Sequence, residues 1–187
     1  MTGCDNVIEK EVKIMLSQTE YDLVCNLFGY DEIIEQCNNY YISDTSRRLS
    51  TTIRVRERDG CFFLQIKMPV SEDGSLSIKK EFCKEVQGVD KLIKDETIKE
   101  LTGVSLGDCR LVGSLKTERR VKYIGDSIEI CIDKSSYFGK IDYEIEIEYT
   151  GEYPYEQVKL LQENGIECGV KACGKYRRFM NELNRQR

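Results

Sequence analysis

The chain has 187 residues, 28 basic and 33 acidic, with a formal charge of −5 and 40% hydrophobic content, enough for one soluble domain spanning 1–187 that buries roughly 70% of its unfolded surface without disulfides or a structural metal. It contains no histidine, which excludes Ser/His/Asp and Cys/His catalysis and every zinc site that needs imidazole. Nine cysteines with no C-x-x-C pair form neither a disulfide framework nor a zinc ribbon.

No basic segment followed by an apolar core opens the chain, and no apolar run approaches bilayer-spanning length. A reducing cytoplasm is therefore the expected location, with the cysteines acting as small buried hydrophobes.

Period-2 patterns dominate. In 7–15 (VIEKEVKIM), Ile8, Val12 and Ile14 share one face, and Glu9, Glu11 and Lys13 share the other. The segment SQTEYDLVCNLFG then reads as a helix, with Ser17 or Thr19 as N-cap, Tyr21, Val24, Leu27 and Phe28 on one stripe, and Gly29 as its stop. Strands are expected over 36–43, 51–58 and 61–68, the last two joined by Asp59-Gly60, a strong two-residue hairpin signal. Pro69 and the following SEDGS segment should end that hairpin. A strand over 76–86 follows, with Lys79, Glu81 and Cys83 on a common face, and 88–102 reads as one helix or two short ones. Further strands are expected over 109–116, 117–124, 127–133 and 141–149. Pro154 opens a helix over 154–163, and Gly174 precedes a basic helix over 175–185.

What sets these strands apart is that one face is apolar while the other carries charges of both signs. In 141–149, Ile141, Tyr143, Ile145, Ile147 and Tyr149 alternate with Asp142, Glu144, Glu146 and Glu148. In 51–58, Ile53 and Val55 alternate with Arg54, Arg56 and Arg58. One reading leaves the charged faces in water as a set of weak surface ion pairs. The other closes about eight mostly antiparallel strands into a barrel with the charged faces inward. Unpaired ions in a dry interior cost several kcal/mol each, so that interior must be wet and hold ions. Glu9, Glu11, Glu144 and Glu146 offer the oxygens a hard divalent cation takes, while Lys13, Arg54, Arg56, Lys67 and Arg119 match phosphate oxygens.

The motif Glu9-Lys10-Glu11-Val12-Lys13 is an E-x-E-x-K pattern that resembles the opening motif of the CYTH superfamily, the triphosphate tunnel metalloenzymes, and an ordered set follows across nearly the whole chain. Ile53 to Arg58 with Asp59-Gly60 is similar to the family's R-x-R strand and turn, and Leu64-Gln65-Ile66-Lys67 to its lysine strand. Glu81 sits where the family has an acidic residue. Lys116-Thr117-Glu118-Arg119 resembles the T-x-R strand, and Ile132-Asp133-Lys134-Ser135 with Tyr137-Phe138-Gly139 resembles the aspartate turn. Tyr143-Glu144-Ile145-Glu146 resembles the late E-x-E strand, and Gly174-Lys175-Tyr176 the C-terminal lysine motif. The small bacterial subgroup is the one resembled most.

The resemblance implies an α+β fold, an eight-stranded antiparallel β-barrel forming a triphosphate tunnel with helices packed outside. It also implies a divalent-metal-dependent triphosphatase acting on inorganic tripolyphosphate or a nucleoside triphosphate. Glu9, Glu11, Asp133, Glu144 and Glu146 would hold Mg²⁺ or Mn²⁺. Lys13, Arg54, Arg56, Lys67, Arg119 and Lys175 would hold the triphosphate. Lys67, Arg56 and Glu81 are the catalytic candidates, Glu81 being either a carboxylate beside the metal or the partner that fixes Lys67. The alternatives are an adenylyl cyclase of the same fold and a polyphosphate-binding module without turnover. The expected partner is a small-molecule triphosphate, with a homodimer possible. Net negative charge argues against nucleic acid, and the basic run at Arg177-Arg178 reads as a solvated helix face.

Overall fold

The computed structural model describes residues 10–73, 76–169 and 172–186. In chain order the elements are β1 (Lys10–Leu16), α1 (Gln18–Phe28), β2 (Glu32–Ile42), α2 (Asp44–Arg48), β3 (Thr52–Arg58), β4 (Cys61–Asp73), β5 (Leu76–Val86), β6 (Leu92–Ile93), α3 (Asp95–Thr102), β7 (Cys109–Ile124), β8 (Ile128–Tyr137), β9 (Lys140–Tyr149), α4 (Tyr155–Glu163) and α5 (Lys175–Arg185). The eight longer strands follow the hydrogen-bonded order β1-β9-β8-β7-β2-β3-β4-β5, and the two-residue β6 pairs with β7. This is the antiparallel α+β arrangement expected from the alternating patterns.

Packing divides the chain into two compact units, one of Gln36–Leu115 and one of Glu9–Glu35 with Lys116–Arg187. In the first, β3 lies between β2 and β4, and β4 pairs with β5. Ile53, Val55, Leu64 and Ile66 point to one face, where they pack with Tyr41 and with Ile98 of α3. The Asp59-Gly60 turn has φ of 52° and 75°, the paired left-handed geometry that lets a two-residue loop follow strand twist.

In the second unit, β9 lies between β1 and β8, and β8 pairs with β7. Ile14, Leu16, Ile130, Ile132, Ile145 and Ile147 form its apolar face, covered by Tyr21 and Val24 of α1 and Val158 and Leu161 of α4. Of the two expected caps, Ser17 is the one that starts α1: it accepts from the Glu20 backbone N–H while the Glu20 carboxylate accepts from the Ser17 N–H, a reciprocal cap. Lys10, the lapse in the apolar alternation of β1, is exposed and lies over the Tyr149 ring.

Several boundaries differ from expectation. Pro69 does not end β4. The strand runs on to Asp73, and the pairing with β5 shifts between Pro69 and Ser71, since a residue without an N–H is tolerated at a bulge. The segments 109–116 and 117–124 form one continuous strand. The strand expected over 127–133 keeps Asp133 but runs on to Tyr137, and the reversal falls at Phe138-Gly139, with φ of 48° and 78°. The short α2 was not anticipated, although Ser43 and Ser46 cap it reciprocally.

Leu161 is fully buried between α4 and the sheet. Leu161→Ala should cost about 2–5 kcal/mol, read as a lower urea midpoint with an unchanged denaturant slope.

Candidate functional site

The side of the second unit's sheet opposite the isoleucines is charged and largely buried. Asp133 and Glu144 are 0% and 1% exposed and Glu146 6%, so the solvated-surface reading of this face fails. Both faces of β9 are covered, which is why Glu144, Ile145, Glu146 and Ile147 are all buried in succession.

Strand register builds the network. Lys13 of β1 lies opposite Glu146 of β9, Glu144 opposite Asp133 of β8, and Asp133 opposite Arg119 of β7. Arg119 clamps Asp133 through Nε at 2.9 Å and Nη2 at 2.8 Å, and its Nη2 also donates to Glu146 at 2.5 Å. That planar fork is geometry a lysine could not supply. Lys13 Nζ lies 3.0 Å from Glu146 and 3.1 Å from Glu11.

The first turn of α5 reaches this face too. Lys175 Nζ is 2.8 Å from Asp133 and 3.1 Å from Glu146, and it also pairs with Glu144. Arg178, one turn on, donates to Glu144 at 2.6 Å and to Asp142 at 2.8 Å. Arg178 is therefore not part of a solvated helix face. The signal that could have found it is its i,i+3 spacing from Lys175, which puts both on one side of a helix. Phe179 of the same helix packs on the rings of Tyr137 and Phe138 at the end of β8.

Burial alone would raise the Asp133 carboxyl, but Lys175 and Arg119 more than offset it and hold it below its ordinary value of 3.8. For Lys175 burial wins, and with Arg119 and Lys13 opposing its charge the ammonium is pulled down to about 7 despite Asp133. Lys13 goes the other way: Glu146 and Glu11 outweigh its burial and raise it. Cys131, directly opposite Glu146 in register, is pushed up by burial, so it fills space as a neutral thiol rather than acting as a nucleophile.

Among the described residues, two carboxylate groups have oxygens within 4.8 Å of one another: Asp133, Glu144 and Glu146, and Glu11, Glu146 and Glu148. Both consist entirely of hard oxygen donors, which suits a divalent cation such as Mg²⁺. Arg119, Lys175 and Arg178 lie among the first, and Lys13 pairs with both Glu11 and Glu146 of the second; Glu146, shared by the two groups, also pairs with Arg119 and Lys175. Glu148 joins the second group because it lies opposite Glu11 in register. Glu9 lies outside the described residues.

In the first unit, Arg54, Arg56 and Lys67 lie on the face opposite the Ile53 and Leu64 cluster. Arg54 Nε donates to Gln65 at 2.9 Å and Arg56 Nε to Asn38 at 3.0 Å. Lys67 pairs with Glu81, its cross-strand neighbour. The described residues thus place Glu11, Lys13, Arg119, Asp133, Glu144, Glu146 and Lys175 together in one unit, and Arg54, Arg56, Lys67 and Glu81 in the other.

The CYTH domain family model matches residues 7–164. The chain belongs to the CYTH domain family. A curated relative from Bacillus subtilis (strain 168), named "Putative triphosphatase YjbK", is 26% identical over 170 residues, covering 85% of this chain and 87% of its own length. Among solved structures, the Hippeastrum protein HpAC1, described as a "putative adenylyl cyclase" with a dominant triphosphatase activity, matches with a TM-score of 0.72 at 19% identity, over 94% of this chain and 96% of its own. A Bacillus halodurans protein described as a "putative adenylate cyclase" matches with a TM-score of 0.68 at 22% identity, over 92% and 97%. These likenesses establish the CYTH fold for the chain, and among the described residues no helix is long and apolar enough to cross a membrane.

Because the folded-state Asp133 is more acidic than an unfolded one, its contribution to stability is present above its ordinary value of 3.8 and is lost as pH falls through the lower folded value. Urea midpoints measured from pH 6 down to pH 2 should fall less steeply in Asp133→Asn, which should also be less stable than the parent at pH 6 because Arg119 and Lys175 lose their anion.

Proposed function

We propose that this CYTH protein is a divalent-metal-dependent triphosphatase that hydrolyses a phosphoanhydride bond of inorganic tripolyphosphate or a nucleoside triphosphate. The observation that carries the reading is the buried charged face of β1, β7, β8 and β9, on which carboxylates and cations alternate by register. A sheet face this costly to bury is expected where a charged ligand is handled. The name of the Bacillus subtilis relative and the activity described for HpAC1 point the same way.

On this reading Glu11, Glu146 and Glu148, with Glu9 of the E-x-E-x-K motif, would hold Mg²⁺ or Mn²⁺, because the oxygens of the first three lie within 4.8 Å of one another and the group is open to solvent at Glu11, where a cation can reach it. When bound, the cation supplies Lewis acidity toward phosphoryl oxygens. Asp133 and Glu144 hold Arg119, Lys175 and Arg178 in place. A second cation among Asp133, Glu144 and Glu146 would require Lys175 to move aside. The cations of each unit, Lys13, Arg119 and Lys175 in one and Arg54, Arg56 and Lys67 in the other, are the candidate ligands for triphosphate oxygens and would neutralise charge that develops as the bond breaks. Arginine does so through paired N–H groups, lysine as a point charge. Glu81 aims Lys67 from the neighbouring strand.

Phosphate release from tripolyphosphate, ATP and thiamine triphosphate, assayed with Mg²⁺ or Mn²⁺, is expected for at least one substrate and should stop on adding EDTA. Arg56→Ala and Glu146→Gln should each lower kcat by about 100-fold or more, the scale seen when one charge-stabilising group is lost. Cyclic AMP in the ATP reaction would replace hydrolysis with cyclisation as the activity. Stabilisation by tripolyphosphate without any release would mean a binding module.

A further inference from the structure

On the charged side of the first unit, β2 presents Gln36 and Asn38, two residues apart and therefore on one face at a separation of about 7 Å. Both are buried, at 6% and 0% exposure. Neither Gln36 Nε2 nor Asn38 Nδ2 has a hydrogen-bond partner among the described residues, although each atom is shielded from solvent. A buried amide N–H₂ without an acceptor is costly, and native proteins rarely retain one without a use. Two on one strand face are harder still to explain by packing.

Their surroundings define what they await. Across the β2–β3 register Gln36 lies opposite Arg58 and Asn38 opposite Arg56. Arg56 Nε donates to Asn38 Oδ1 at 3.0 Å, which fixes how that amide is turned: the oxygen is taken by the guanidinium and the N–H₂ is left over. One strand along, Arg54 treats the Gln65 amide oxygen in the same way, at 2.9 Å. The row therefore consumes amide acceptors and leaves amide donors. A metal ion has no place beside such donors, and a neutral polar ligand would ask for acceptors as well. An anion with several oxygens, each able to accept more than one hydrogen bond, meets the pattern.

We infer that the side-chain amides of Gln36 and Asn38 bind non-bridging oxygens of the polyphosphate chain, as neutral donors set beside the arginines. The inference rests on the triphosphate reading given above and extends it to two residues without charge. Neutral donors add hydrogen bonds without deepening the positive charge that a product phosphate must escape. Asn38 has a second role as the positioning residue for Arg56, whereas Gln36 makes no hydrogen bond to an arginine among the described residues and isolates the effect of the amide.

The test uses the full chain with Mg²⁺ and imidotriphosphate, the nitrogen-bridged analogue of tripolyphosphate that resists hydrolysis. The side-chain N–H₂ resonances of Gln36 and Asn38, assigned through bonds to the backbone, should both move on saturation. Gln36→Leu should bind the analogue about ten- to a hundredfold more weakly, the range for a hydrogen bond to a charged group, with the free protein melting no lower than the parent. If the parent binds while both N–H₂ resonances stay still, the amide assignment is overturned and the triphosphate reading stands. If the parent does not bind, the triphosphate reading falls and this inference with it. The resonances of the parent decide the matter even should Gln36→Leu fail to fold.

Discussion

The second unit is organised around the need to neutralise carboxylates that its own sheet buries. Isoleucines on β1, β8 and β9 must face α1 and α4 to form a core, and strand alternation then sends Asp133, Glu144 and Glu146 to the opposite side with no freedom to choose otherwise. Leaving those ions unpaired would cost several kcal/mol each. The cations that answer them come from neighbouring strands in register, Lys13 and Arg119, and from the first turn of α5, Lys175 and Arg178. Apolar core, charged face and terminal helix are thus consequences of one alternation.

Pairing of this kind is not a sign of stability alone. Replacing buried ion pairs by well-packed apolar residues is often neutral or stabilising, so a fold that keeps four cations and their carboxylates on one sheet face carries a cost that function explains better than folding does. The network is also poised. Arg119 and Lys13 keep their protons firmly, whereas Lys175, the most surrounded of the cations, is pulled down to about 7. Glu11, Glu146 and Glu148 form the carboxylate group that opens to solvent, through Glu11, whereas Asp133, Glu144 and Glu146 are all buried.

The first unit solves a different problem with the same alternation. Its apolar side packs on α3, and its other side gathers Arg54, Arg56 and Lys67 with amide groups rather than with a full set of acids. Amide oxygens of Gln65 and Asn38 orient the Arg54 and Arg56 guanidinium groups through their Nε atoms. Burying Asn38 and Gln36 with free N–H₂ groups is the same strategy carried one step further.

Much of this was legible in the residues. The alternation of Ile145 and Ile147 with Glu144 and Glu146 determined two-sided strands, Asp59-Gly60 determined the hairpin between β3 and β4, and Ser17 and Thr19 bracketed where α1 begins, because side-chain period, turn chemistry and caps are local properties. The motif order carried the CYTH resemblance for the same reason. Only the tertiary structure decided that Glu148 lies against Glu11, that Arg178 turns inward beside Lys175, that β4 runs through Pro69, and that Gln36 and Asn38 are buried without acceptors. Each of these depends on which strand or helix comes to lie opposite, and register between distant segments is fixed by packing over the whole sheet rather than by any residue's neighbours in sequence.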